Sequence, residues 1–306
     1  MRSERLSPPC LLALAALGLL AGCAQTPTHT ARDGDLAALL GTPSPTAFAA
    51  APAVTAAEAL AKGDAALVAG DPDRALFEYL RALRQDEGNA EILYKVGAIQ
   101  ASRHNNGVAE AAYRRALDSD PKQAGALTGL GILLTRQRQY AEAETLLRTA
   151  VRADPKLAGA HHALGVLADI ERDHARAQGH FLDGLAHAPQ SPTLHNNLGY
   201  SHYLAGNNQA AITEFRAALA LDPNYARAWR NLGLVYSRQG KYEKALAAFR
   251  KVQDLPQAYN DVGYIAMVAG RLDDAQSFFE EAQRLSPEYY PTASDNAQRV
   301  RALRKK

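Results

Sequence analysis

Glycine recurs along this chain at Gly63, Gly97, Gly131, Gly165, Gly199, Gly233 and Gly263. Alanine follows twelve residues after each, at Ala75, Ala109, Ala143, Ala177, Ala211, Ala245 and Ala275. Four residues further on come Tyr79, Tyr113, Leu147, Phe181, Phe215, Phe249 and Phe279. Seven occurrences in one register exclude coincidence and divide the chain into repeats at 56–89, 90–123, 124–157, 158–191, 192–225, 226–255 and 256–289. The internal spacing is helical. Trp229, Leu232 and Tyr236 share one face of a first helix, and Ala245 and Phe249 share one face of a second. Glycine and alanine at the crossing let the two backbones approach closely. A unit this short cannot bury its own apolar face, so neighbouring units must stack.

Trp229-x-x-Leu232-Gly233-x-x-Tyr236 followed by Ala245-x-x-x-Phe249 resembles the tetratricopeptide repeat (TPR), a helix–turn–helix unit with a period of about 34 residues. The resemblance implies an all-α TPR solenoid: a right-handed superhelix of about seven repeats, with residues 290–306 as a C-terminal capping helix. Fifteen helices from about residue 54, and no sheet, are expected. The first repeat is degenerate, with Lys62 and Glu87 at usually apolar or Pro positions, as suits a terminal repeat with a polar outer face. Asp120-Pro121, Asp154-Pro155, Ala188-Pro189 and Asp222-Pro223 end second helices, because Pro forces its predecessor out of helical geometry. Gly233 and Gly263 lie 30 residues apart, four fewer than elsewhere, which removes about one helical turn from repeat six. Its second helix should end near Asp254, with Pro256 opening the next unit. Gly184 stands where the repeat usually has Ala, and marks either a close contact or a soft point.

The N-terminus reads differently. Arg2 and Arg5 precede an apolar run, Leu11–Ala21, too short to span a bilayer as a mature helix but suited to a secretory signal. It ends in Leu20-Ala21-Gly22-Cys23, which resembles a bacterial lipobox. That resemblance implies that residues 1–22 are removed and that Cys23, acylated, anchors the chain in a membrane. The alternative is an ordinary secretory signal with an incidental Cys. Ala24 follows, where Asp would imply retention at the inner membrane, so an outer-membrane lipoprotein facing the periplasm is expected. Residues 23–55, rich in Ala, Thr and Pro, read as the lipidated Cys and a disordered tether.

No enzyme is expected. G-x-S-x-G, Walker A and H-E-x-x-H motifs are absent, and both cysteines precede the repeats. No metal or cofactor is expected either. His161 and His195 occupy the position of Trp229, and His202 that of Tyr236, as aromatic stand-ins in the packing. His195 and His202 are seven residues apart, whereas two ligands on one helix want i, i+4, and His161 and His162 point to different faces. Thirty-four basic against 32 acidic residues, a net charge of +2, give no footprint for nucleic acid. The basic C-terminal tail, with Arg299, Arg301 and Arg304, reads as a solvated face, with a lipid or partner site as the alternative.

What remains is protein binding. In TPR solenoids the first helices line the concave face, which here presents Asn196, Tyr200, Tyr203, Arg227, Arg230, Arg238, Asn260 and Tyr264. Amides suit an extended peptide backbone, and Tyr and Arg are enriched at binding hot spots. Packing against neighbouring repeats is the alternative for Tyr200 and Tyr264. The carboxylate clamp of some TPR proteins is incomplete: Asn197 and Arg227 fit, but His162, Val166 and Asn231 do not. Lipobox, tether, repeats and the closing Tyr259-Asn260-Asp261-Val262-Gly263-Tyr264 and Ser286-Pro287-Glu288-Tyr289-Tyr290 segments together resemble the TadD lipoproteins of the tight-adherence (Flp) pilus system. The role this implies is that of a pilotin or assembly factor, with the outer-membrane secretin as partner. A type IV pilus pilotin, and a periplasmic adaptor for a protease or cell-wall enzyme, are the alternatives.

Overall fold

A computed structural model describes residues 54–286, 288 and 290–304. The signal segment, Cys23 and nearly all of the tether lie outside the described residues. Fifteen helices and no strand occur among those described. In chain order they are α1 (Ala56–Val68), α2 (Pro72–Leu83), α3 (Ala90–Ser102), α4 (Asn106–Ser119), α5 (Ala124–Arg136), α6 (Tyr140–Ala153), α7 (Ala158–Ile170) and α8 (His174–His187). There follow α9 (Pro192–Leu204), α10 (Asn208–Leu221), α11 (Ala226–Arg238), α12 (Tyr242–Phe249), α13 (Leu255–Val268), α14 (Leu272–Leu285) and α15 (Pro291–Leu303). Seven antiparallel pairs and one cap therefore fill the expected all-α repeat architecture. None of these helices is long and apolar enough to cross a membrane.

The recurrent glycine seats the recurrent ring. A Cβ on Gly63 would stand 2.4 Å from Tyr79, one on Gly165 2.5 Å from Phe181, and one on Gly233 2.7 Å from Phe249. The rings of Tyr79, Phe181, Phe215 and Phe279 are buried as a result. Gly184 makes a looser contact of another kind: its Cβ would lie 3.1 Å from the Leu194 methyl of the next repeat, so it marks a close approach between repeats.

Each first helix closes with one hydrogen-bonding pattern. The amide two residues past the cap reaches back to the last turn, as from Asp71 to the Ala66 carbonyl at 2.9 Å and from Asn105 to the Gln100 carbonyl at 3.0 Å. This turn puts the intervening residue in the left-handed region. Gly70, Gly206, Gly240 and Gly270 fill it without strain, but repeats two to four place His104 (φ 62°), Arg138 (φ 65°) and Arg172 (φ 64°) there. A side chain costs about 1–2 kcal/mol in that region, less the greater backbone entropy that glycine loses on folding. Replacing all three by Gly is expected to raise unfolding free energy by about 0.5–1 kcal/mol per site. Urea denaturation checks this; a triple variant no more stable than the parent would overturn it.

The curvature follows from which helices meet. From α3 onward each first helix also touches the first helix of the next repeat, whereas second helices make no comparable contact with one another. The layer whose helices crowd together lies on the inside of the bend, so α3, α5, α7, α9, α11 and α13 line the inner surface. The apolar core runs the length of the rod, its clusters linked by shared neighbours such as Leu117, Leu146 and Tyr242. One large cluster runs from Ala59 to Ala143 and another from Tyr203 to Val262. Between them, across repeats three to five, lie three smaller clusters, built around Phe181, Leu164 and Ala150.

Repeat six departs from expectation in one respect. Its second helix, α12, ends at Phe249 rather than near Asp254 and is only eight residues long. The chain needs residues 250–253 to turn, and Asp254 then caps α13 by accepting from the Gln257 amide at 2.8 Å. A cleft of about 570 Å³ lies between α10, α11 and α12, with Trp229 and Tyr236 in its wall and Arg216, Lys244 and Lys251 among its lining residues. At the far end Ala293, Ala297 and Val300 of α15 bury themselves, two of them in the cluster around Phe279, and cover the edge of repeat seven.

Candidate partner-binding groove

The residues singled out from sequence fall on the inner helices α9, α11 and α13, but they divide into two sets. Asn196 and Asn260 are buried, at 3% and 7% exposure. Their amides are engaged by the neighbouring repeat. Asn231 Nδ2 donates to Asn196 Oδ1 at 2.9 Å, Asn196 Nδ2 donates to Asn197 Oδ1 at 3.1 Å, and Asn197 Nδ2 donates to His162 Nε2 at 2.6 Å. This one-way relay crosses three repeats. Burial, and secondarily the Arg227 charge, hold His162 below the usual imidazole range, which keeps the acceptor lone pair at the end of the relay. Asn260 Oδ1 likewise accepts from Asn296 of the cap at 3.0 Å. Tyr203 is also buried. Its hydroxyl accepts from Arg238 Nη1 at 2.9 Å, and the guanidinium lies 5.1 Å from the ring centroid. These contacts knit one inner helix to the next. They also engage Asn197 and Asn231, a further departure from a carboxylate clamp.

The second set faces solvent. Arg227, Arg230 and Arg238 are exposed, as are Tyr200 and Tyr264, the latter at 46%. Tyr200 leans on Tyr203, with ring centroids 5.9 Å apart, and so is held at the surface by a buried neighbour. Two residues beside them, Leu204 and Val268 (70% exposed), escape a search for polar and aromatic types. Both occupy the repeat position of Arg238, so the register alone would have found them. In α9, α11 and α13 the inner face thus carries two Tyr and two aliphatic side chains beside the guanidinium groups of Arg227 and Arg230, while that of Arg238, though exposed, is engaged by Tyr203. That surface is suited to an amphipathic segment bearing apolar anchors and negative charge.

The histidines at the Trp position do pack as aromatic stand-ins. Trp229 Nε1 donates to the Pro223 carbonyl at 2.8 Å, and the Nε2 atoms of His161 and His195 lie 2.9 Å and 3.3 Å from the carbonyls of Pro155 and Pro189. Each ring thereby ties a first helix to the Pro turn that precedes it.

Models of the tetratricopeptide repeat match residues 226–255 and 256–289, and a further TPR repeat model matches 202–240. The middle TPR-like domain of cilia and flagella-associated protein 70 matches residues 58–170. No curated protein matches the chain at a significant level. Among solved structures, a chain of the APC/C hetero-tetramer Cut9-Hcn1 superposes with a TM-score of 0.58 at 20% identity; the match covers 72% of this chain but only 45% of that one. The Pseudomonas aeruginosa pilF protein superposes with a TM-score of 0.55 at 20% identity, over 71% of this chain and 98% of that one. A tetratricopeptide repeat protein from Parabacteroides merdae gives 0.53 at 18% identity, over 80% and 98%. At these identities the likeness is one of fold.

Proposed function

Because the chain belongs to the tetratricopeptide-repeat proteins, whose stacked repeats bind other proteins, we propose that it is an outer-membrane lipoprotein that docks a segment of a secretin and assists its assembly, in the manner of a pilotin of the tight-adherence pilus. The observation that carries this reading is the exposed Tyr200, Leu204, Arg230, Tyr264 and Val268 surface on the inner helices. Exposed tyrosine and arginine side chains on one inner surface are the residue types that most often anchor a partner segment. The lipobox-like segment ending in Cys23 supplies the anchor in this reading, and the Pro-containing stretch before residue 54 supplies reach. The protein works as a scaffold, and its contribution to assembly is position rather than catalysis.

The anchor is tested by Cys23→Ser. The variant is expected to lose all incorporation of a fatty-acid label and to leave the membrane fraction or remain uncleaved; persistent labelling would remove the lipoprotein reading. The partner is tested by affinity capture of the acylated chain from envelope extracts. Recovery of the secretin supports the proposal. Recovery of a periplasmic protease or cell-wall enzyme in its place would favour the adaptor reading.

A further inference from the structure

Repeats four and five carry histidine at the same position of their first helices, His161 and His195, and the two rings meet different partners. In repeat five the Nδ1 edge of His195 lies 2.7 Å from Glu214 Oε2. The residue of repeat four that corresponds to Glu214 is His180. The carboxylate is thus replaced by a second imidazole, and the Nδ1 atoms of both His161 and His180 are buried without a hydrogen-bond partner.

The tautomer of His161 is fixed by its surroundings. Its Nε2 faces the Pro155 carbonyl at 2.9 Å, and a carbonyl only accepts, so Nε2 carries the proton. Nδ1 of the neutral ring is then a bare lone pair, in a side chain only 9% exposed. A buried acceptor with no donor is costly unless something positive meets it. Asp183, one turn beyond His180 on α8, places Oδ2 3.8 Å from that lone pair. One ligand atom from each of His161, His180 and Asp183 falls within 4.8 Å of the other two. The ring of His187, a further turn along the same face of α8, is centred 6.3 Å from that of His161.

We propose that His161, His180 and Asp183 form a binding site for a divalent transition metal of the zinc type, bridging the two helices of repeat four. Two imidazoles and one carboxylate suit zinc, nickel, cobalt or copper better than the oxygen-seeking magnesium or calcium. The second-sphere bond of His161 is of the kind such sites use: the ring nitrogen away from the ion donates to a backbone carbonyl, which orients the ring and settles the tautomer. Tetrahedral zinc with bonds of about 2.0–2.2 Å needs ligand atoms closer together than in the present arrangement. Exposed Asp183 and half-buried His180 have the freedom to close in, whereas His161 is already held. The site lies on α7 and α8, away from the exposed residues of α9, α11 and α13, and so it is separate from the proposed groove. Reading along single helices hides it, because one ligand comes from α7 and the others from α8.

The test is titration of the untagged full chain in detergent with Zn²⁺ alone, followed by calorimetry and by thermal melting. One equivalent is expected to bind and to raise the melting temperature. His180→Gln and Asp183→Asn are each expected to weaken binding by about a hundredfold and to abolish the thermal shift. His195→Gln is expected to leave both unchanged, since that ring is paired with Glu214. Cobalt in place of zinc is expected to give ligand-field bands without a thiolate charge-transfer band, which separates this site from the two cysteines. Absence of zinc binding, or equal affinity in the parent and both ligand variants with circular dichroism unchanged, would overturn the proposal.

Discussion

Replacing Gly199 by Leu is expected to lower the unfolding free energy by about 3 kcal/mol or more. A Cβ at this position would lie 2.8 Å from Phe215 Cε1 and 3.1 Å from the Ala211 backbone oxygen. The ring has nowhere to move, because Phe215 is fully buried, and the carbonyl belongs to the helix that must cross α9. The added branches of leucine deepen both overlaps. In a solenoid the damage passes to the interfaces on either side, since each repeat is stabilised by its neighbours. Gly179 is the natural control. It sits exposed on α8, and a Cβ added there would have nothing within 4 Å, so Gly179→Ala is expected to stabilise the fold by about 1 kcal/mol through helix propensity alone. Denaturant titration of the two variants checks both signs. Parent-like stability of the Gly199 variant would mean that the helix crossing is not where the structure puts it.

Removing Tyr200 and Arg230 together is expected to weaken partner binding by up to about three orders of magnitude, at about 2 kcal/mol for each anchor lost. Both side chains are exposed, and neither position is a glycine, alanine or ring of the helix crossing. The double Ala variant should therefore melt like the parent and fractionate with it. Under the function proposed above, secretin multimers on a gel, and surface pili, are expected to fall together. Normal multimers and normal piliation with the double variant present at parental levels would exclude the inner face of α9 and α11 as the docking surface. The convex cleft beside Trp229 and the α15 surface around Arg299 would then be next to test.

The register of the repeats was legible in the sequence because close packing leaves its mark on residue type: only glycine fits beneath Phe215 or Tyr79, so the pattern of small residues reports the helix crossings directly. The left-handed turn was not legible. Four repeats place Gly there, but His104, Arg138 and Arg172 tolerate the strain and conceal the rule. The groove was half legible. Tyr200 and Tyr264 reach solvent, but Asn196 and Asn260, at another position of the same inner surface, are consumed by their neighbours. An amide looks the same in a sequence whether it meets a ligand or the next helix. The end of α12 was not legible either, because the count of absent residues gives the length lost, not the residues the chain spends on turning.

The short second helix of repeat six has a mechanical consequence. In a solenoid each repeat is held only by its neighbours, so tension along the rod passes through every repeat in turn. The rod yields first at the repeat with the least packed helix. That is repeat six, whose α12 has eight residues where α2 has 12 and α4 has 14, so the stack parts there before it parts elsewhere.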